Sequence, residues 1–322
     1  MDLEHRIHKL VSSKNSYIHD DCTYLSKSHQ LISTDTLVEN VHFDLNHFDA
    51  SDIAHRLFVC NYSDIQSSGG YPEYALLNIS FPSKNFELTQ QIIKSFKKLL
   101  TKHNIKLIGG DTTSSKQGLQ LSVTALGAVS KTGAVLRSGA AENDLLVLSG
   151  DIGGAYMGLQ VLVRENEVFK VNPQHKPDLE SYSYLVERQL KPEARKDVVQ
   201  LLKDLDLKPT AMIDISDGLS SEIMHLCKQS GVGCRVYENK FPLDPHFISV
   251  CEEFKLDSTT IALSGGEDYE LLFTIKQADF DKIKGNPNLT VIGHMTAKGD
   301  APSLVTRAEE VIPLKAQGWK AF

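Results

Sequence analysis

No apolar run in this 322-residue chain approaches the ~20 residues that a membrane helix needs. The opening residues carry no apolar signal core, and the five cysteines are odd in number and without CxxC spacing. A reducing, cytoplasmic setting is therefore expected. Dense Lys/Arg runs are also missing: Lys97-Lys98 falls in an amphipathic helical pattern, and the formal net charge is −7. That balance argues against nucleic acid as a partner. There is no GxxxxGK[ST] string, so any bound phosphate is not cradled by a Walker A lysine. The 12 histidines are scattered, and His42 and His47 stand five apart, wrong for one face of a helix, so no zinc site is expected.

What is present is globular material. Hydrophobic residues make up 41% and charged residues 23%, enough for sizeable cores. The length exceeds the ~250 to 300 residues at which single cores usually stop growing, which predicts two domains. Strand-like segments at 30–33, 74–81, 105–108 and 119–129 alternate with helical periodicity, marked by Ile53, Leu57, Phe58 and Ile65 and then by Leu88, Ile92, Ile93 and Phe96. A turn-rich step at Lys131-Thr132-Gly133 sets the expected boundary, with domains 1–133 and 134–322. The second half opens on a buried-strand pattern at 144–149, followed by a helix through Leu159 and Leu162. Residues 165–180 are polar and contain proline, which predicts a loop with helix on either side. Further strands are expected up to Ile213 and near 233–237, 269–275 and 290–293, with a helix through Leu219, Ile223 and Leu226. The fold class is α/β (α+β), with two mixed domains and helices flanking a mixed sheet in the second.

Carboxylates stand beside small or hydroxyl residues again and again: His19-Asp20-Asp21, Ser33-Thr34-Asp35-Thr36, Ser63-Asp64, Gly109-Gly110-Asp111-Thr112-Thr113, Ser149-Gly150-Asp151, Asp214-Ile215-Ser216-Asp217-Gly218 and Gly265-Gly266-Glu267-Asp268. Each alone serves equally well as a turn or a helix cap. Their number points further. Gathered in one place, each close pair would cost roughly 4 kcal/mol at an effective dielectric near 20, so the cluster would need cations. With oxygen ligands only, Mg²⁺ or Mn²⁺ fits better than zinc. Asp35, Asp111 and Asp214 are expected at strand ends, where ligand sites gather in α/β proteins.

In order and spacing from residue 20 onward, Ser33-Thr34-Asp35-Thr36-Leu37-Val38, His42-Phe43, Asn61-Tyr62-Ser63-Asp64-Ile65, Ile108-Gly109-Gly110-Asp111-Thr112-Thr113, Arg137-Ser138-Gly139-Ala140, Ile213-Asp214-Ile215-Ser216-Asp217-Gly218-Leu219 and the long Ala262–Thr274 segment around Gly265-Gly266-Glu267-Asp268 resemble the thiamine-monophosphate kinase family. That family lies within the aminoimidazole ribonucleotide synthetase-like superfamily. The resemblance implies ATP-dependent phosphorylation of thiamine monophosphate to thiamine diphosphate with Mg²⁺. It also implies an N-terminal metal- and ATP-binding domain that forms a homodimer, and a C-terminal domain that completes the substrate site. Carried over residue by residue, Asp21, Asp35, Asp64, Asp111, Asp214 and Asp217 hold metals, with Ser33 and Thr34 lending oxygens and Asp20 as a helper. Gly110, Asp111, Arg137 and Ser216 meet the nucleotide, while His42, Glu267 and Trp319, the single tryptophan, meet the substrate. The chain departs from the family pattern at His19, where a glycine is usual, and at Ser68 and Asp151; none of these removes a carboxylate. Competing expectations are another ATP-using member of the superfamily, such as a selenophosphate synthetase or an amidine-forming ligase, and a catalytically silent binding protein that kept the fold.

Overall fold

The computed structural model describes residues 20–129, 133–174, 177 and 179–315, together with 7, 10 and 11. Two mixed sheets, each with its own helices and core, organise these residues. The first sheet holds β1 (Thr23–Leu25), β2 (Gln30–Val38), β3 (Tyr71–Phe81), β4 (Lys106–Ser114) and β5 (Gln120–Ala128), in the order β1-β2-β5-β3-β4. Only β3 and β4 pair in parallel, because α2 (Phe86–Lys102) crosses over between them. Helix α1 (Ala50–Ser67) is started by a capping box in which Asp49 accepts from the Ser51 and Asp52 amides. Its apolar stripe of Ile53, Leu57 and Phe58 packs with Ile92 and Phe96 of α2 and with Leu121 and Val123 of β5.

Strand β4 is the open edge of this sheet, and all nine of its residues are exposed, Leu107 and Ile108 among them. A glycine is required at 110, with φ +148°, since a Cβ there would stand 1.8 Å from the Leu77 carbonyl oxygen of β3.

The second sheet has the order β12-β11-β8-β10-β6-β9-β7, built from β6 (Leu145–Ser149), β7 (Ala211–Asp214), β8 (Gly233–Tyr237), β9 (Leu271–Ile275), β10 (Leu289–Thr296), β11 (Ser303–Val305) and β12 (Val311–Pro313). One face is covered by α3 (Gly154–Val171), α6 (Leu219–Ser230) and α7 (Pro245–Glu253), through Met157, Val161, Ile223, Leu226 and Phe247. The other packs Val147, Met212 and Phe273 against α5 (Lys196–Asp204) and α9 (Phe280–Ile283). Helices α4 (Ser183–Leu190) and α8 (Ser258–Ser264) complete the second half.

Three expectations change. Helix α3 continues through Val171, so 165–171 is not loop; Glu167 and Lys170 lie on its solvated surface and pair with each other across one turn. Asp35 lies inside β2 and Asp111 inside β4, and neither follows its strand. Threonine and valine have good strand propensity, and Thr36-Leu37-Val38 in β2 and Thr112-Thr113 in β4 carry the strands past the acids.

Candidate metal and phosphate site

Three of the acids meet. Asp21, ahead of β1, Asp64, in the penultimate turn of α1, and Asp214, the last residue of β7, each present an oxygen within 4.8 Å of the others. Asp35 of β2 faces Asp64 closely enough to share a hydrogen bond with it. A set of hydroxyls orients the cluster. Ser63 Oγ donates to Asp214 Oδ2 at 2.5 Å, Ser67 Oγ donates to Asp21 Oδ2 at 2.6 Å, and Ser33 Oγ donates to Asp64. Arg137 Nε donates to Asp21 Oδ1 at 2.8 Å, while the Arg137 amide donates to Asp20 Oδ1 at 2.7 Å. Burial and then the mutual repulsion of the carboxylates push Asp64 well above the ordinary carboxylate range and Asp214 up to about 7.

Next to this cluster a cavity of about 740 Å³ opens between the two halves of the chain. Asp35, Asp64, Asp214, Ser216, Asp217 and Glu267 all line it. Its apolar walls come from Phe43 and Phe48 of the first half and Tyr156 and Leu159 of the second. His42 Nδ1 accepts from the Val38 amide at 3.0 Å, which fixes the proton on Nε2, and burial pushes the imidazole below its usual value.

The segment Gly265–Glu270 distributes its acids to different tasks. Glu267 lines the cavity and pairs with Arg56 of α1. Asp268 is buried and caps α3 from a distance, accepting from the Gly153 amide at 2.6 Å and the Ala155 amide at 3.1 Å. Tyr269 packs into the core of the first half, its hydroxyl 3.1 Å from Cys60 Sγ. Glu270 is buried against Arg188 and Arg195. The segment is docked by the Glu267 amide on the Ser216 carbonyl (2.8 Å) and the Tyr269 amide on the Ile215 carbonyl (2.9 Å). Gly266 permits that approach, since a Cβ there would lie 2.2 Å from Ser216 O.

Not every candidate arrives. Thr34 lies on the opposite face of β2 from Ser33 and Asp35, because side chains alternate along a strand, and its hydroxyl meets Thr124 and the Val123 carbonyl. Asp111 aligns with Asn78, Ser122 and Thr36 across the sheet. It therefore stands three strands from β2, roughly 14 Å at ordinary strand spacing, and is outside the cluster formed within one chain. Gly110 is on the same edge strand. Trp319 and His19 lie outside the described residues. Arg56, Gln189 and Ser67 were not singled out in the sequence. A charged residue on the buried stripe of α1, between Ile53 and Leu57, was the available signal for Arg56.

The donor set suits a hard divalent ion. Every group is an oxygen, the carboxylates are held by hydroxyls that leave lone pairs over, and their charges oppose one another without a cation. Residues 19–129 match the family model "AIR synthase related protein, N-terminal domain". The first sheet, with Asp21 and Asp64, is therefore a domain of that class. The thiamine-monophosphate kinase of Bacillus subtilis (strain 168) is 30% identical over 320 residues, covering 97% of this chain and 94% of that protein. Among solved structures, AaThiL complexed with AMPPCP and TMP superimposes with a TM-score of 0.82 at 28% identity, covering 99% of this chain and 96% of that one. The thiamine monophosphate kinase of Aquifex aeolicus gives 0.79 at 28% identity, with 97% and 98% covered. The chain belongs to the thiamine-monophosphate kinase family.

Proposed function

We propose that the chain transfers the terminal phosphoryl group of ATP to thiamine monophosphate, forming thiamine diphosphate by direct in-line attack. The observation that carries this is the convergence of Asp21, Asp64 and Asp214, from three distant segments, beside an interdomain cavity with apolar walls. Phosphoryl transfer asks for alignment and charge neutralisation rather than covalent work by the protein. Both substrates are anionic and the cluster is acidic, so Mg²⁺, held by Asp21, Asp64 and Asp214 with Asp35 and Asp217 at hand, supplies charge neutralisation when bound.

The protein's own part is orientation. Ser33, Ser63 and Ser67 fix the carboxylates in single rotamers. Arg137, anchored on Asp21, brings a planar donor set to the nucleotide side. The acceptor phosphate, with a second pKa near ~6, is mostly deprotonated at neutral pH, so no general base is needed. His42, neutral and on the cavity wall, and Glu267 face the thiamine end.

Asp111 and Gly110 enter this scheme through a homodimer. An open edge strand with exposed Leu107 and Ile108 is a surface that invites pairing, and pairing there brings Asp111 of one protomer toward the cluster of its partner. Phosphorus NMR of the protein with MgATP and thiamine monophosphate tests the activity. A new diphosphate ester with ADP is expected; release of free phosphate alone, or no reaction, overturns it.

A further inference from the structure

The cavity wall carries an ion pair that the acid cluster does not use. Arg56 is 1% exposed, and its guanidinium reaches from α1 into the second half of the chain. Nη1 donates to Glu267 Oε1, Nη2 donates to the Gln189 carbonyl at 3.2 Å, and the group lies 4.8 Å from the centre of the Phe48 ring. Gln189 on α4, also 1% exposed, closes from the other side, with Nε2 donating to Glu267 Oε2 at 3.0 Å. A carboxylate only accepts, so the amide must turn its NH₂ toward Glu267 and its oxygen away. That Gln189 Oε1 is buried and has no hydrogen-bond partner. Leaving that atom without a donor is unfavourable, so the amide is held this way round by its bond to Glu267, and Gln189, Arg56 and Glu267 all line the cavity.

The backbone reinforces the arrangement. Glu267 (φ +67°) and Tyr269 (φ +52°) both sit in the left-handed region, which non-glycine residues occupy only when their surroundings impose it. The Glu267 side chain keeps 32% of its surface open while both of its oxygens are engaged. Each oxygen still has a lone pair to offer. The result is a carboxylate fixed in place and open to the cavity, with its charge countered by a buried guanidinium. A group of this kind is matched by an N–H donor on an uncharged ring substituent.

We propose that Arg56 and Gln189 are positioning residues for acceptor recognition: they hold the Glu267 carboxylate in one orientation so that it accepts a hydrogen bond from the exocyclic amino group of an aminopyrimidine. The inference rests on thiamine monophosphate being the acceptor. It adds that the amino group is what the site reads, and that a residue of the first half of the chain sets the reading. A site built to bind an N–H group rejects an analogue lacking it, because the acceptor held ready for that group is then left unpaired.

The test compares thiamine monophosphate with oxythiamine monophosphate, in which a carbonyl replaces the amino group. For the wild-type protein kcat/KM is expected to favour the amino compound by a hundredfold or more. In Arg56→Met and Gln189→Leu the preference should shrink at least tenfold through a higher KM for thiamine monophosphate, with KM for ATP within twofold of wild type. Arg56→Lys should restore part of the preference. In the Arg56→Met/Glu267→Gln double variant the losses should be non-additive, as they are when one residue acts through another. Circular dichroism checks folding, and if Arg56→Met does not fold, Gln189→Leu and Arg56→Lys decide. Absence of turnover by the wild type overturns the activity and this inference together. Turnover with no preference for the amino compound, or an undiminished preference in the folded variants, overturns this inference alone.

Discussion

Asp64 and Asp214 stand where burial and like charge both oppose ionisation, and their behaviour follows from that placement. Asp214→Asn removes one of three converging charges. Turnover should fall by a hundredfold or more, while metal-free stability should rise by about 1 to 2 kcal/mol as repulsion is relieved. Paired activity assays and denaturant titrations in EDTA check both, and a variant that keeps near-normal turnover removes Asp214 from the site. A raised folded-state pKa gives stability that is complete below the unfolded value near 3.8 and is lost as pH rises through about 7. Between about pH 5 and 7, in EDTA, the melting temperature of the wild-type protein should therefore fall relative to that of Asp214→Asn, a comparison in which the histidine contributions cancel. Mg²⁺ should stabilise most at the upper end of that range, because there the carboxylates are charged and ready to bind. A difference between the two proteins that does not change with pH would count against the carboxylate cluster.

Elements convert those residues into a site, and here the sequence was legible to different depths. The hydrophobic periodicity of α1, α2 and α6 and the apolar runs of β6 and β9 were plain, since each buries one face or both. The acids were legible as a set because carboxylates beside hydroxyls keep their chemistry in any fold. Their sidedness was not: Thr34 and Ser33 are neighbours in sequence and lie on opposite faces of β2. The short helix α8 was missed because seven residues give too little period to read. The division of labour in Glu267-Asp268-Tyr269-Glu270 was also hidden, since it depends on φ values that follow from docking against Ile215 and Ser216. That docking makes Gly266→Ala informative. Its Cβ would meet backbone rather than a movable side chain. A loss of about 2 to 4 kcal/mol in chemical denaturation is expected, as for other strained or overpacked positions, together with a large drop in turnover. Wild-type stability in this variant would show that the segment docks differently.

At the scale of the whole molecule the open edge of β4 separates two arrangements that a single chain does not distinguish. With pairing through that edge, Ile108→Asp should yield a monomer by light scattering and lose most activity, because Asp111 is then parted from the partner's cluster. Mixing supplies a sharper check. Asp111→Asn and Asp214→Asn are each expected to be inactive. After co-refolding, half the dimers are mixed and each mixed dimer has one intact site of two, so about a quarter of wild-type activity should return if an isologous interface shares its residues. If nothing returns, Asp111 acts within its own chain or not at all.

Tyr269 gives the architecture one more property. Its aromatic ring belongs by connectivity to the C-terminal lobe, yet it is 5% exposed within the N-terminal lobe's interior beside Cys60. Opening the N-terminal lobe would strip that ring of its surroundings, and extracting the ring would leave a void in the other lobe, so neither can melt independently at low energetic expense. Calorimetry should accordingly record one endotherm for the intact polypeptide, resolving into two when Tyr269 is replaced by alanine.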